Sequence, residues 1–234
     1  RPITVPCGPC SVSRPSPRTA DSERRIRRPR CLRPGRPSKP LGRHPSAGPR
    51  SRAIRVFYCD HFEVVLPPKH RFPMHKYGLL RERLVAEGIV SAAELLPARA
   101  APLEEIHAVH DAGYVQGFLD GTLDRRVIQR IGFPWSEAMV LRSLGSVGST
   151  LGAVDAAMED GIAGSLAGGT HHAYRDFGSG YCVFNDLAVA SRRLLDRGAV
   201  ERVLVFDVDV HQGDGTAAIF EDNDRVDRKS TRLN

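Results

Sequence analysis

The chain has 234 residues, with 34 Lys and Arg against 27 Asp and Glu, a net charge of +7 and a pI near 9.5. That length can bury a sizeable core as one α/β domain, and the absence of any run of roughly 20 apolar residues excludes a membrane-spanning helix. The basic excess would suggest nucleic acid or an anionic membrane, but it lies wholly in residues 1–53: 14 Lys and Arg against Asp21 and Glu23, a net +12, with the remainder at 20 against 25, a net −5.

Residues 1–53 also hold 11 of the 17 prolines. Such a head cannot offset its chain entropy by burial, and its prolines deny it helix and sheet hydrogen bonds, so it is expected to be disordered. Sharper readings are a basic arm on phosphates, a Cys7-Gly-Pro-Cys10 redox or metal pair, a transit peptide, or sequence foreign to the natural protein. A redox Cys-x-x-Cys needs a strand before it and a helix after it, and a transit peptide needs an amphipathic helix, so the prolines count against both. No charged-then-apolar leader opens the chain, and only Cys59 and Cys182 lie beyond the head, which fits a soluble protein in the reducing cytoplasm.

Arg55-Val-Phe-Tyr-Cys59 is β-branched and aromatic and predicts the first strand, so the folded part is expected from residue 54. His75–Gly88 predicts a helix, with Tyr77, Leu80, Leu84 and Val85 at helical spacing and Gly88 as its stop. Pro102–His110 and Asp111–Leu119 predict two short helices with acids at their starts. Ser136 caps the longest helix, in which Val140, Leu141, Leu144, Val147, Leu151, Val154 and Met158 form a core stripe up to Gly161. Ile162–Ala167 is a short strand, Asn185–Arg197 a helix, Arg202–Val210 a buried parallel strand by its continuous apolar character, and Thr216–Phe220 the start of another helix. Strands alternating with helices predict an α/β fold, a doubly wound parallel sheet with helices on both faces and its chemistry at the carboxyl edge.

The richest segment is Asp207-Val-Asp209-Val-His211-Gln-Gly-Asp214-Gly215, where period 2 sets Asp207, Asp209 and His211 on one side of an apolar strand. Burying two bare carboxylates costs several kcal/mol, so the pair implies a cation, strong donors or a shifted proton. Asp209 and His211 suit zinc, which accepts oxygen and imidazole together, and Asp207 is better placed to hold a neighbouring imidazole or a second cation. The plainer reading is a polar loop entry in which Asp214 caps the following helix. His171-His172 follow the preceding strand and should share its sheet edge, where a histidine held by a carboxylate can take and return a proton. Cys182 reads as a small buried hydrophobe, since nothing beside it would lower its pKa.

Together His70-Arg-Phe-Pro-Met74, Gly132-Phe-Pro-Trp135, Gly168-Gly-Thr-His-His-Ala173, Gly180-Tyr-Cys-Val-Phe-Asn-Asp186 and Asp207–Gly215 resemble the histone deacetylase superfamily on the arginase-like fold. The resemblance covers most of residues 55–226. It implies one zinc ion on Asp209 and His211, and a His171–His172 dyad with His172 as the main proton carrier. It makes Asp207 and Asp214 the carboxylates that orient the two imidazoles. Asp207, Asp209 and His211, with backbone oxygens, would hold a structural potassium ion. Tyr181 would wall an acyl-lysine tunnel with Gly180 beside it, and Arg71 would stand near an inner channel. The implied reaction is zinc-dependent hydrolysis of acetyl-lysine or a similar N-acyl amine, on an acetylated peptide, polyamine or small molecule, without a membrane or nucleic-acid partner.

Two of the family's features, a third zinc ligand (an aspartate) and an oxyanion-binding tyrosine, lie downstream in its pattern and are not found here. The polar run 227–234 departs from the apolar strand the family continues with after Val226. The chain is therefore expected to be an N-terminal fragment, 54–226, with an unrelated tail and little or no activity of its own. Competing readings are an arginase-like ureohydrolase holding two manganese ions, and a non-catalytic fragment that grips acyl-lysine or a partner.

Overall fold

The structure is a computed structural model that describes residues 53–230. The expectations for residues 1–52, Cys7 and Cys10 among them, and for the last four residues lie outside the described residues.

Strand β1 (Arg55–Tyr58) falls on the β-branched, aromatic run. It is flanked in parallel by β2 (Leu95–Pro97), with Val56 opposite Leu95, and by β3 (Ala163–Ser165), with Phe57 opposite Ser165. A second parallel pair joins β4 (Val203–Asp207) to β5 (Val226–Ser230), with Val203 opposite Val226. Parallel neighbours require crossovers, and these are helical. Helix α1 (Lys76–Ala86) links β1 to β2, while α2 (Leu103–His107), α3 (Ala112–Leu119), α4 (Arg125–Ile131) and α5 (Glu137–Asp160) lie between β2 and β3. Helix α6 (Asp186–Asp196) links β3 to β4, and α7 (Asp214–Ile219) links β4 to β5.

Helix starts follow the capping rule. Asp111, Asp124, Ser136 and Asn185 each accept a backbone amide of the first turn, which satisfies a donor that would otherwise lack a partner. Besides a 3-10 turn at Ala92–Glu94, three elements were not among those predicted. β2 is too short to carry a period, α4 is a seven-residue helix rich in arginine, and β5 is polar beyond Val226. Residues 227–230 continue the ladder with β4, since backbone pairing at a sheet edge tolerates polar side chains.

Helix α5 packs on β1 and β3 and against α6, which packs on β4. Its core face is Val140, Leu144, Val147 and Leu151, joined by Met139. Leu141 and Met158, expected in that stripe, are half exposed. Leu141 lies one residue off the buried face, about 100° around the helix, and Met158 belongs to the last turns. Phe118, Phe184, Ile106 and Ile131 fill the centre of the core, each contributing about 1.5–3 kcal/mol by burial. Helix α1 contributes no fully buried residue, although its apolar positions keep helical spacing.

β4 also differs from expectation. Val203 and Val205 pack toward the core, whereas Leu204 and Phe206 are 60% and 67% exposed. The alternation shows a strand covered on one face only, so its unbroken apolar sequence does not by itself make it a buried strand.

Candidate active site

The β4 ladder ends at Asp207, opposite Ser230. Asp209 and His211 therefore stand on the bends beyond the strand, not along one strand face. The carboxylates shape those bends: Asp207 Oδ1 accepts the amide of Asp209 at 2.9 Å, and Asp209 Oδ1 accepts that of His211 at 2.7 Å. Both bonds run two residues onward, the Asx-turn pattern that competes with a continuing strand. The expectation of two buried carboxylates holds for one of them, because the Asp207 side chain is 14% exposed and that of Asp209 52%.

The segment after β3 brings the histidine pair to the same edge. His171 Nδ1 lies 2.6 Å from Asp207 Oδ2, and His172 Nδ1 lies 2.7 Å from Asp214 Oδ1. An ionised carboxylate only accepts, so each imidazole donates from Nδ1 and keeps Nε2 for other chemistry. The two rings meet edge to face at 4.2 Å, and the His172 ring is 5.9 Å from that of His211. His211 Nδ1 is 3.1 Å from Asp209 Oδ1. Asp207, Asp209, His211, Asp214, His171 and His172 thus converge from two segments of chain.

Local electrostatics keep two of these acids charged. The His211 amide, ahead of its side chain, holds the Asp209 carboxyl below the usual carboxylate range against slight burial. Burial pushes Asp214 upward, but the His172 imidazole, the Gly215 amide and the Tyr174 hydroxyl together hold it below that range. Burial, and then the charge of Asp214, raise the Tyr174 phenol.

Gly180 lies against His172, and Tyr181 follows it onto an aromatic wall. Gly180 has φ +55, and a Cβ there would stand 2.9 Å from His172 Cδ2, so the ring rests on bare backbone. Tyr181 has φ +66, a conformation rare for a residue with a side chain. Its amide is anchored to Ile131 O at 2.7 Å, and its ring packs on Phe72 and Phe133 at 5.0 and 5.1 Å. His70 Nε2 lies 3.0 Å from Gly132 O, so the His70–Met74 and Gly132–Trp135 motifs meet and build the wall on which Tyr181 leans.

Arg71 is exposed, and the small cavity of about 40 Å³ beside Tyr181 is lined by another arginine, Arg142 of α5, with Phe72, Tyr77 and Thr170. Arg142 is buried, lies over the Tyr77 ring at 4.4 Å and donates to Cys59 Sγ. An arginine in the middle of an apolar-periodic helix was the signal that could have found it. Cys59 and Cys182 are free and buried, and burial pushes the Cys182 thiol up to about 12, so it is no thiolate at neutral pH.

Asp209 and His211 offer donors of the right chemistry for zinc, and neither is sealed from solvent. Among the described residues no group of three or more His, Cys, Asp or Glu could hold a metal ion. The donor set fits the metal in kind and is incomplete in number. No helix among the described residues is long and apolar enough to cross a membrane.

Parallel strands joined by helical crossovers make this an arginase/deacetylase-like α/β fold, and solved structures bear out the fold. An HDAC homolog from Aquifex aeolicus superposes with a TM-score of 0.65 at 26% identity, covering 76% of this chain and 50% of that one. An HDAC homolog complexed with SAHA gives 0.66, with the same identity and coverage. Residues 70–231 match the family described as the histone deacetylase domain, and the chain belongs to that family. An uncharacterized protein of Picosynechococcus sp. is 42% identical over 171 residues, 73% of this chain and 57% of its own length. The acetoin utilization protein AcuC of Bacillus subtilis is 30% identical over 184 residues, 74% of this chain and 47% of its own length. The chain spans about half the length of the relatives it matches.

Proposed function

We propose that this chain carries the proton-handling half of a zinc-dependent deacetylase site that hydrolyses acetyl-lysine, or a similar N-acyl amine, to acetate and a free amine. The observation that carries the reading is His172, paired with Asp214 at 2.7 Å and standing 5.9 Å, ring to ring, from His211. Family membership supports the reaction class.

Asp209 and His211 would hold one zinc ion, with a further donor from outside the described residues. Bound there, the ion supplies Lewis acidity toward the amide carbonyl and toward water. Asp207 and Asp214 fix the tautomers of His171 and His172, so Nε2 of His172 takes a proton from the attacking water and returns it to the departing nitrogen. The Tyr181 ring would guide the acyl chain of a lysine, polyamine or small molecule. Asp207, with Asp209, His211 and backbone oxygens, would hold a structural potassium ion. With two zinc donors among the described residues, the 234-residue chain is expected to bind zinc weakly and turn over slowly.

Metal analysis of the purified chain, followed by acetyl-lysine peptide hydrolysis at added zinc, tests the reading. The expected result is one weakly held zinc that Asp209→Ala plus His211→Ala abolishes, with turnover far below that of longer relatives. Two bound manganese ions would indicate a ureohydrolase instead. Acyl-lysine binding with no metal would indicate a binding module.

A further inference from the structure

Asp186, the first residue of α6, is almost wholly withdrawn from water at 1% exposure and has no cationic side chain paired with it among the described residues. A buried carboxylate without a counter-ion costs several kcal/mol unless donors replace its water. Its donors come mainly from one turn. Oδ1 accepts Thr170 N at 2.7 Å and Thr170 Oγ1 at 2.5 Å, while Oδ2 accepts Gly169 N at 3.0 Å and Thr150 Oγ1 at 2.5 Å. Three of these four donors belong to the two residues immediately before His171.

The turn is built around the carboxylate. Gly168 has φ +98, and a Cβ there would collide with Asp186 Oδ2 and stand 2.6 Å from Thr150 Oγ1. Glycine supplies both the left-handed backbone and the empty space, so successive amides can face the anion. Asn185 holds the other end of the histidine segment: its Nδ2 donates to Ala173 O and to Thr216 Oγ1, both at 3.0 Å, and Thr216 N donates to His171 O at 3.1 Å.

We infer that Asp186 is a positioning residue for the His171–His172 pair: it anchors the Gly168–Thr170 turn so that both imidazoles meet their carboxylates at once. The catalytic sense of this role rests on the function proposed above; the geometric role does not. A small rotation at Thr170 would swing His171 away from Asp207 and His172 away from Asp214, bonds of 2.6 and 2.7 Å. Charge-assisted hydrogen bonds of that length are sensitive to alignment.

The test is NMR of the histidine rings in the 234-residue chain. Both Nδ1–H protons are expected far downfield in the parent. Asp186→Asn keeps the side-chain shape but places an amide nitrogen where an acceptor is needed, so the two signals are expected to move upfield or vanish while the helical circular dichroism persists. Leu195→Ala, a destabilising change far along α6, is expected to leave both signals in place. Should Asp186→Asn not fold, Thr150→Val, which removes one donor to Oδ2, is expected to shift the same signals. A folded Asp186→Asn, or failing that Thr150→Val, with both signals unmoved overturns the role. Intact signals in a protein that binds no zinc would count against the proposed function alone.

Discussion

His171 Nδ1 and Asp207 Oδ2 meet at 2.6 Å with side chains only 7% and 14% exposed, which joins the segment after β3 to the end of β4. The companion pair, His172 and Asp214, has nearly the same length, but the Asp214 side chain is 48% exposed. Burial therefore separates two contacts that distance does not. Asp207→Asn is expected to cost about 1.5–3 kcal/mol, the scale of a hydrogen bond to a charged group. Asp214→Asn is expected to cost under about 1 kcal/mol, because solvent screens it. Urea unfolding of the two variants checks the order, and equal losses would contradict it.

His110 is buried, and its Nε2 accepts the Asn185 amide at 2.9 Å while Nδ1 faces Arg175 O at 3.3 Å. Burial lowers its pKa from 6.5 to about 4, so the ring is neutral in the fold. The unfolded chain takes up the extra proton between those values. This contribution is fully present above about pH 6.5 and is lost as pH falls through 4, on the order of 3 kcal/mol. Asp209 and Asp214, held low, lose theirs only as pH falls below 3.8 and through their still lower folded values. Unfolding free energy measured from pH 7.5 to 4.5 is expected to fall in the parent and to fall less in His110→Gln.

The Tyr114 hydroxyl donates to Val183 O at 2.7 Å from a site 4% exposed, and burial raises the phenol far above its ordinary value. Tyr114→Phe leaves a buried carbonyl short of a donor, at about 1–3 kcal/mol. The melting temperature is expected to drop by roughly 3–10 °C. Absorbance titration is expected to show one of the five tyrosines silent until the chain unfolds.

Leu204, Phe206, Val208 and Val210 run along β4 and beyond it with exposures of 60 to 81%. Exposed apolar side chains beside a strand edge that is unpaired among the described residues favour self-association. Leu204→Lys with Phe206→Lys is expected to lower concentration-dependent light scattering and to leave the melting temperature nearly unchanged. Undiminished scattering would place the sticky surface elsewhere.

Much of this was legible in the order of residues. Ser136, Asp111 and Asn185 announce their helices because capping is local chemistry, read within three residues. The histidine pair and the strand-end acids announce a site because buried carboxylates need partners. The same locality explains the failures. Val208 and Val210 extend an apolar run, yet the strand stops at Asp207, whose carboxylate turns onto the Asp209 amide, and the alternating pattern does not show which acid will fold back in this way. Arg71 and Arg142 are both arginines near aromatic residues, and only packing decides that Arg142 is the one lining the small cavity beside Tyr181. Asp186 hides because an acid at the first position of a helix is also an ordinary helix start.

Sequence by itself determined the alternation of strands and helices, their caps, and the chemical kinds of group that gather at the carboxyl edge, because periodicity and short-range hydrogen bonding are properties of neighbouring residues. Tertiary structure alone decided which carboxylate each imidazole meets, which acid is buried, and what holds the histidine turn in place. Those contacts join residues 16 to 42 positions apart, and only the packing of α5, α6 and β4 brings them within reach.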